Sequence, residues 1–215
     1  AISQVGYMIL GIGTALPIGI IGGLFHMINN AMYKSCLFLT GGAVEKQAGT
    51  SDLEGLGGLW SKMPVTFVCF TIAALSISGV PPFNGFFSKE LVYDAALERG
   101  WVFYLIAVVG SFFTAASFLK LGHAAFFGKA RESAKSTKEA PLLMLIPIVL
   151  IAIGCVFFGL YNSFPINNLI VPALGHRLEG HSPVGFPSNI WLVVGTLVVL
   201  ILAVLNHMYG VRAKG

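Results

Sequence analysis

The chain has 215 residues, 56% of them hydrophobic and only 10% charged, where soluble domains carry about 25% charged residues. That deficit excludes a soluble fold and places the chain in a membrane. Its net charge of +4 does not argue for nucleic acid, because the basic residues sit in loops between apolar runs, where membrane topology accounts for them.

Crossing a hydrocarbon core roughly 30 Å thick takes about 20 apolar residues in a helix, and runs of that kind are expected at 1–13, 16–44, 64–98, 101–127, 141–161 and 189–210. The first, "AISQVGYMILGIG", begins without a basic region or a cleavage site and is short for a complete span. The chain is therefore expected to be the C-terminal piece of something longer.

In the second run, "FHMINNAMYKSCLF" spaces His26, Asn30 and Lys34 four residues apart. At 100° per residue they drift about 40° per step and form one polar stripe on an apolar helix. Such a stripe is either glue between membrane helices or a path. A lysine at a helix centre costs roughly 2.5 to 3.5 kcal/mol on insertion, and histidine changes charge near neutrality. Lys34 in the stripe therefore favours a proton or ion path.

The third run is too long for one straight helix and barely long enough for two. Gly79, Pro81, Pro82 and Gly85 divide it within "SGVPPFNGFFSKEL", since proline removes a backbone donor and clashes with the preceding turn. It is either two helices with a reversal or one span made of two half-helices. Lysines and arginines in short loops arbitrate. One broken span puts Lys46, Lys62, Lys129, Arg131, Lys135, Lys138, Arg212 and Lys214 on one side, against Arg99 and Arg177 on the other. A double crossing lowers that bias, so six crossings with a cytoplasmic C-terminus are expected. Lys89 follows the break with Glu90 beside it. Half-helix ends and unwound carbonyls at mid-membrane are how transporters build ion sites, and Glu90 is either part of that site or a local counter-charge.

Lys120 and His123 share a face near the end of the fourth span, as a continuation of the polar line or as an end-of-helix cationic cluster. "NNLIVPALGHRL" reads as a short interfacial helix, and "GKARESAKSTKEAP" as a solvated loop. Cys36, Cys69 and Cys155 read as buried thiols. No nucleophile elbow, P-loop or paired-carboxylate site is present. His176, His181 and His207 lack metal-ligand spacing, so neither a metal nor a cofactor is expected.

Together, "SQVGYMILGIG", "FHMINNAMYKSCLFLTGGAV", "LGGLWSKMPVTF" and "SGVPPFNGFFSKE" resemble the antiporter-like subunits shared by respiratory complex I, Mrp antiporters and membrane-bound group 4 hydrogenases. The resemblance implies an all-α fold of inverted five-helix repeats, each with a broken helix. Residues 1–128 would be most of the second repeat, and 129–215 a C-terminal extension of two helices. It implies proton translocation by a non-redox subunit of a larger complex, with Lys89 as the terminal relay group and Lys34 and His26 as relay positions before it. Asn30 stands where a second histidine is usual in the complex I subunit. The implied partners are other membrane subunits, the N-terminal half of the same subunit and the lipid bilayer. A purely structural role and Na⁺ translocation remain the alternatives.

Overall fold

The computed structural model describes residues 2–129, 136–175 and 183–214, with side chains as far as residue 212. Arg131, Lys135, His176, Arg177 and His181 lie outside the described residues, as does the side chain of Lys214. The described residues form helices and connecting loops, without strands. The helices are α1 (Ile2–Gly13), α2 (Pro17–Ala48), α3 (Pro64–Ser78), α4 (Asn84–Arg99), α5 (Trp101–Gly122), α6 (Leu142–Leu160), α7 (Ser163–Leu174) and α8 (Ile190–Lys214). The last turn of α5 widens into a π-helical turn, His123–Phe127.

Local chemistry sets the boundaries. Pro17 and Pro64 open α2 and α3 at the position where a missing N–H costs nothing. Glu139 caps α3 by accepting from the Val65 N–H at 2.7 Å and from the Thr66 hydroxyl at 2.7 Å. Gly79 closes α3 in the left-handed conformation, φ 84°, and its N–H bonds back to the Leu75 and Ser76 carbonyls.

The helices arrange the chain between two ends. At one end the Gly57 backbone abuts Lys129, Glu139 holds the start of α3, and the rings of His123 and His207 lie 5.1 Å apart. At the other, Arg99 Nε donates to the Thr14 carbonyl at 2.7 Å, and Asn162 is paired with Gly185. Thus α3 starts at the first end and α4 finishes at the second. With 15 and 16 residues they are about 22 and 24 Å long, each too short to cross alone. They make one broken crossing, and the chain is a multi-pass membrane protein.

Three helical stretches are long and apolar enough to span by themselves: Trp101–Phe127, Leu142–Leu160 and Ile190–Arg212. The largest buried cluster joins α2, α3, α6 and the end of α5 around Tyr33, Met63, Phe126 and Ile148. A second, around Tyr7, Val92, Tyr93 and Leu192, joins α1, α4, α5 and α8. The short helix α7 does not lie free at the interface, since Ile166 and Ile170 pack onto Ile21 and Phe25 of α2. Cys36, Cys69 and Cys155 are free, buried thiols.

Candidate functional site at the helix break

The break concentrates buried polar groups. Lys89 is 1% exposed, on the second turn of α4. Its Nζ donates to the Ser111 hydroxyl at 2.9 Å and to the Ser78 carbonyl at 3.3 Å, and stands 5.0 Å over the Tyr7 ring. The Ser78 carbonyl belongs to the last turn of α3, where carbonyls lack intrahelical partners and the helix dipole is negative. A broken helix thus supplies Lys89 with an acceptor that a continuous helix would consume. Gly79 permits the approach, because a Cβ there would stand 3.0 Å from Lys89 Cδ.

Ser111 is shared. It also bonds to the hydroxyls of Tyr7, at 3.1 Å, and Tyr93, and the Tyr7 hydroxyl donates to the Ala107 carbonyl at 2.6 Å. Among the described residues no ion pair holds Lys89. Hydroxyls, a carbonyl and an aromatic face do so instead, which is the company a buried ammonium needs when no carboxylate is paired with it.

A second cluster adjoins the first. His26, fully buried, places Nδ1 2.9 Å from the Ser88 hydroxyl and Nε2 3.0 Å from Gln4 Oε1, with the Tyr33 hydroxyl 3.3 Å from Nε2. Gln4 Nε2 donates to Thr114 at 3.4 Å, so its oxygen is left to accept. A neutral imidazole then donates from Nε2 and accepts at Nδ1. Gln4 and Tyr7 on α1, and Ser111 and Thr114 on α5, are pairs three apart that share a helix face; each pair gives one member to each cluster. The Tyr7 ring bridges them, 5.5 Å from the His26 ring and beneath Lys89.

The unwound segment is held from two further sides. Asn29 Nδ2 donates to the Asn84 carbonyl at 2.9 Å, and Asn84 Nδ2 donates to Asn29 Oδ1 at 3.0 Å. The Pro81–Pro82 peptide is cis, and Gly159 of α6 sits so close that a Cβ would be 2.1 Å from the Pro82 carbonyl. Gly85 lies against the Ser76 carbonyl in the same way.

The other residues singled out in the sequence are placed differently. Asn30 is partly buried and its Oδ1 has no partner. Lys34 stands 4.9 Å over the Phe38 ring, away from the cluster around His26. The buried face of α2 runs His26, Asn29, Tyr33, Cys36 and Thr40, alternating steps of three and four, so a row of four-residue steps drifts off it by about 40° per step. Glu90, 1% exposed, points to α8 and accepts from Thr196, its second oxygen unpartnered. Lys120 is exposed, and His123 meets His207 rather than the break. Gln4, Tyr7, Asn29, Ser88, Tyr93 and Ser111 carry no charge, and their only signal in the sequence was their place in apolar helices. Among the described residues no group of three His, Cys, Asp or Glu side chains is placed to hold a metal ion.

A polytopic helical bundle with a buried lysine at a broken crossing defines an integral membrane subunit of antiporter-like architecture. The signature of the NADH:quinone oxidoreductase/Mrp antiporter transmembrane family matches residues 1–114, more than half of the chain, and the chain belongs to that family. It is 35% identical to the Na⁺/H⁺ antiporter subunit A1 of Staphylococcus haemolyticus over 95% of its own length and 28% of that protein's. Subunit A1 of Staphylococcus aureus is 34% identical over 82% of this chain and 25% of its own length. The chain therefore spans about a quarter of the length of these relatives. Among solved structures it is similar to a chain of the archaeal membrane-bound sulfane sulfur reductase, a respiratory membrane complex, with TM-score 0.73, 29% identity and coverage of 93% of this chain and 35% of that one. It is also similar to a chain of the Mrp complex from Dietzia sp., with TM-score 0.68, 26% identity and coverage of 73% and 38%.

Proposed function

We propose that the chain translocates protons across the membrane as part of a multi-subunit, antiporter-like complex, with Lys89 as the group that takes up and releases the proton. The observation that carries this reading is the buried lysine at the break, held by Ser111, the Ser78 carbonyl and the Tyr7 face without a paired carboxylate. Each of those contacts favours the ammonium over the neutral amine. Losing the proton therefore loosens Lys89 from α3, and a neighbouring charge that repels the ammonium drives release.

The cluster of Tyr33, His26, Gln4 and Thr114 offers hydroxyls and an imidazole that can pass a proton toward Ser88 and Ser111. Tyr7 separates it from Lys89, so transfer between the clusters runs through a rearranged hydroxyl or a water. Lys34 would act as an outer group on α2, and Lys120 with His123 as an entrance at the basic end. By the loop-charge rule that end, and with it the C-terminus, faces the cytoplasm. Other membrane subunits and the preceding half of the same protein would complete the path.

In the whole complex reconstituted into proteoliposomes, Lys89→Ala is expected to abolish most proton transport while the subunit still assembles. Normal transport by that variant would overturn the assignment. A purely structural role predicts the reverse, with Lys34→Met and Lys89→Met weakening assembly but sparing transport in the complex that survives. The relatives are named for both Na⁺ and H⁺, and replacing sodium with choline in the same assay separates the two ions.

A further inference from the structure

About 100° round α4 from Lys89, Glu90, Asp94 and Glu98 stand four residues apart, so they follow one another up a single gently drifting face. Their exposure rises along that row: Glu90 is buried, Asp94 half-buried and Glu98 exposed. The row ends at the same end of the molecule as Arg99. Among the described residues no basic side chain of α4 lies within the row.

Glu90 and Asp94 open onto a small cavity of about 110 Å³, which Asn162, Asn189 and residues 183–188 also line. That volume holds a few water molecules and is too small for a metabolite. Glu90 is fixed through one oxygen by Thr196, and its other oxygen, buried, has no protein partner. A buried carboxyl oxygen left unpaired beside a cavity that can hold water requires water or a proton. The cavity is roofed by a strap, residues 183–189, tied to Asn162. Asn162 Nδ2 donates to the Gly185 carbonyl, and its Oδ1 accepts from the Gly185 N–H, both at 2.8 Å. Asp94 and Asn189, at the other end of the strap, line the same cavity.

From this geometry we infer that Glu90, Asp94 and Glu98 form a proton outlet, a ladder of carboxylates leading from the residue beside Lys89 through a strapped, hydrated chamber to the aqueous phase. The inference rests on Lys89 being the proton-releasing group. The proton leaves Lys89 Nζ for a carboxylate oxygen of Glu90 through water, moves through chamber water to Asp94, and leaves past Glu98, each acceptor returning to its carboxylate form when it hands the proton on. Among the described residues, Lys89 shares this helix, Tyr104 of α5 lies near Glu90, and the α2, α7 and α8 residues at the chamber contribute no charge.

The test is proton transport by the whole complex in proteoliposomes carrying Asp94→Asn, Asp94→His and Glu98→Gln, beside Lys89→Ala. Asp94→Asn is expected to slow transport by about a hundredfold, the low end of what a positioned proton-transfer group contributes. Asp94→His, which restores a titratable group, is expected to recover at least a tenth of the rate and to move its pH profile on the outlet side toward the range of histidine, near pH 6.5. A merely structural Asp94 predicts no such rescue and no shift. Glu98→Gln, at an exposed position that cannot disturb packing, is expected to slow transport even if the Asp94 variants fail to assemble. Normal transport by Asp94→Asn, or by Glu98→Gln where the Asp94 variants are lost, overturns the outlet when Lys89→Ala is inactive. If Lys89→Ala itself transports normally, the lysine assignment falls first and the outlet with it.

Discussion

Gly85→Ala probes the joint on which the lysine site depends. A methyl built on Gly85 would stand 1.8 Å from the Ser76 carbonyl oxygen and 2.7 Å from its carbon. Both are backbone atoms of the last turn of α3, so no side chain can swing away. Ordinary contact begins at 3.4 Å, so the end of α3 and the start of α4 must part by about 1.6 Å, the difference between that distance and 1.8 Å. Ser78 follows Ser76 by two residues, and its bond to Lys89 is already 3.3 Å long; such a movement takes it out of hydrogen-bond range. Overpacking typically costs 1 to 3 kcal/mol, and with two rigid backbones opposed the expected loss is about 3 kcal/mol. The assay is thermal melting of the purified complex together with proton transport in proteoliposomes. Gly41→Ala is the control, since an added methyl there meets nothing within 4 Å; it should be neutral or stabilise α2 by up to about 1 kcal/mol. A Gly85→Ala complex that melts and transports like the parent would refute the reasoning that α3 and α4 are held in backbone contact.

Two further outcomes are expected. Asn29→Leu removes both halves of the amide exchange with Asn84 and leaves the buried Asn84 Nδ2 without its acceptor, while the Asn84 carbonyl keeps the Ser88 hydroxyl; the cost is about 1 to 3 kcal/mol, read by the same melting experiment, and an unchanged melting temperature would show that Asn29 does not hold the break. Cys36, Cys69 and Cys155 are buried, at 0%, 4% and 0% exposure, so maleimide should label none of them in the folded complex and all three after denaturation, as read by mass spectrometry.

The crossings and the break were legible in the sequence because they rest on local chemistry. Hydropathy marks spans without knowledge of their neighbours, and Gly79, Pro81 and Pro82 cannot continue a helix wherever they sit. Loop charge then chose one broken crossing over two complete ones, and the positions of α3 and α4 at opposite ends agree. The surroundings of Lys89 were not legible, because they come from four helices. Tyr7 and Ser111 are 104 residues apart, and nothing in either segment announces the other. On α2 the charged and ionisable residues drew attention to the row through Asn30 and Lys34, whereas the helix turns Asn29 and Tyr33 inward beside His26. Glu90 shows the same limit: its neighbour in sequence is Lys89, but consecutive helical residues diverge by 100°, and its partner is Thr196, 106 residues on.

The closeness of Gly159 to Pro82 has a mechanical consequence. With the α6 backbone seated directly on residues 82–84, α6 cannot slide or tilt inward without displacing the unwound segment. The opposite face of α6, with Leu143, Leu150 and Ile153 exposed, is where lipid or an adjoining helix would lean. Pressure applied there reaches the polar interior through the backbone of residues 82–84, so α6 is a pushrod to the break rather than an appendage beside it.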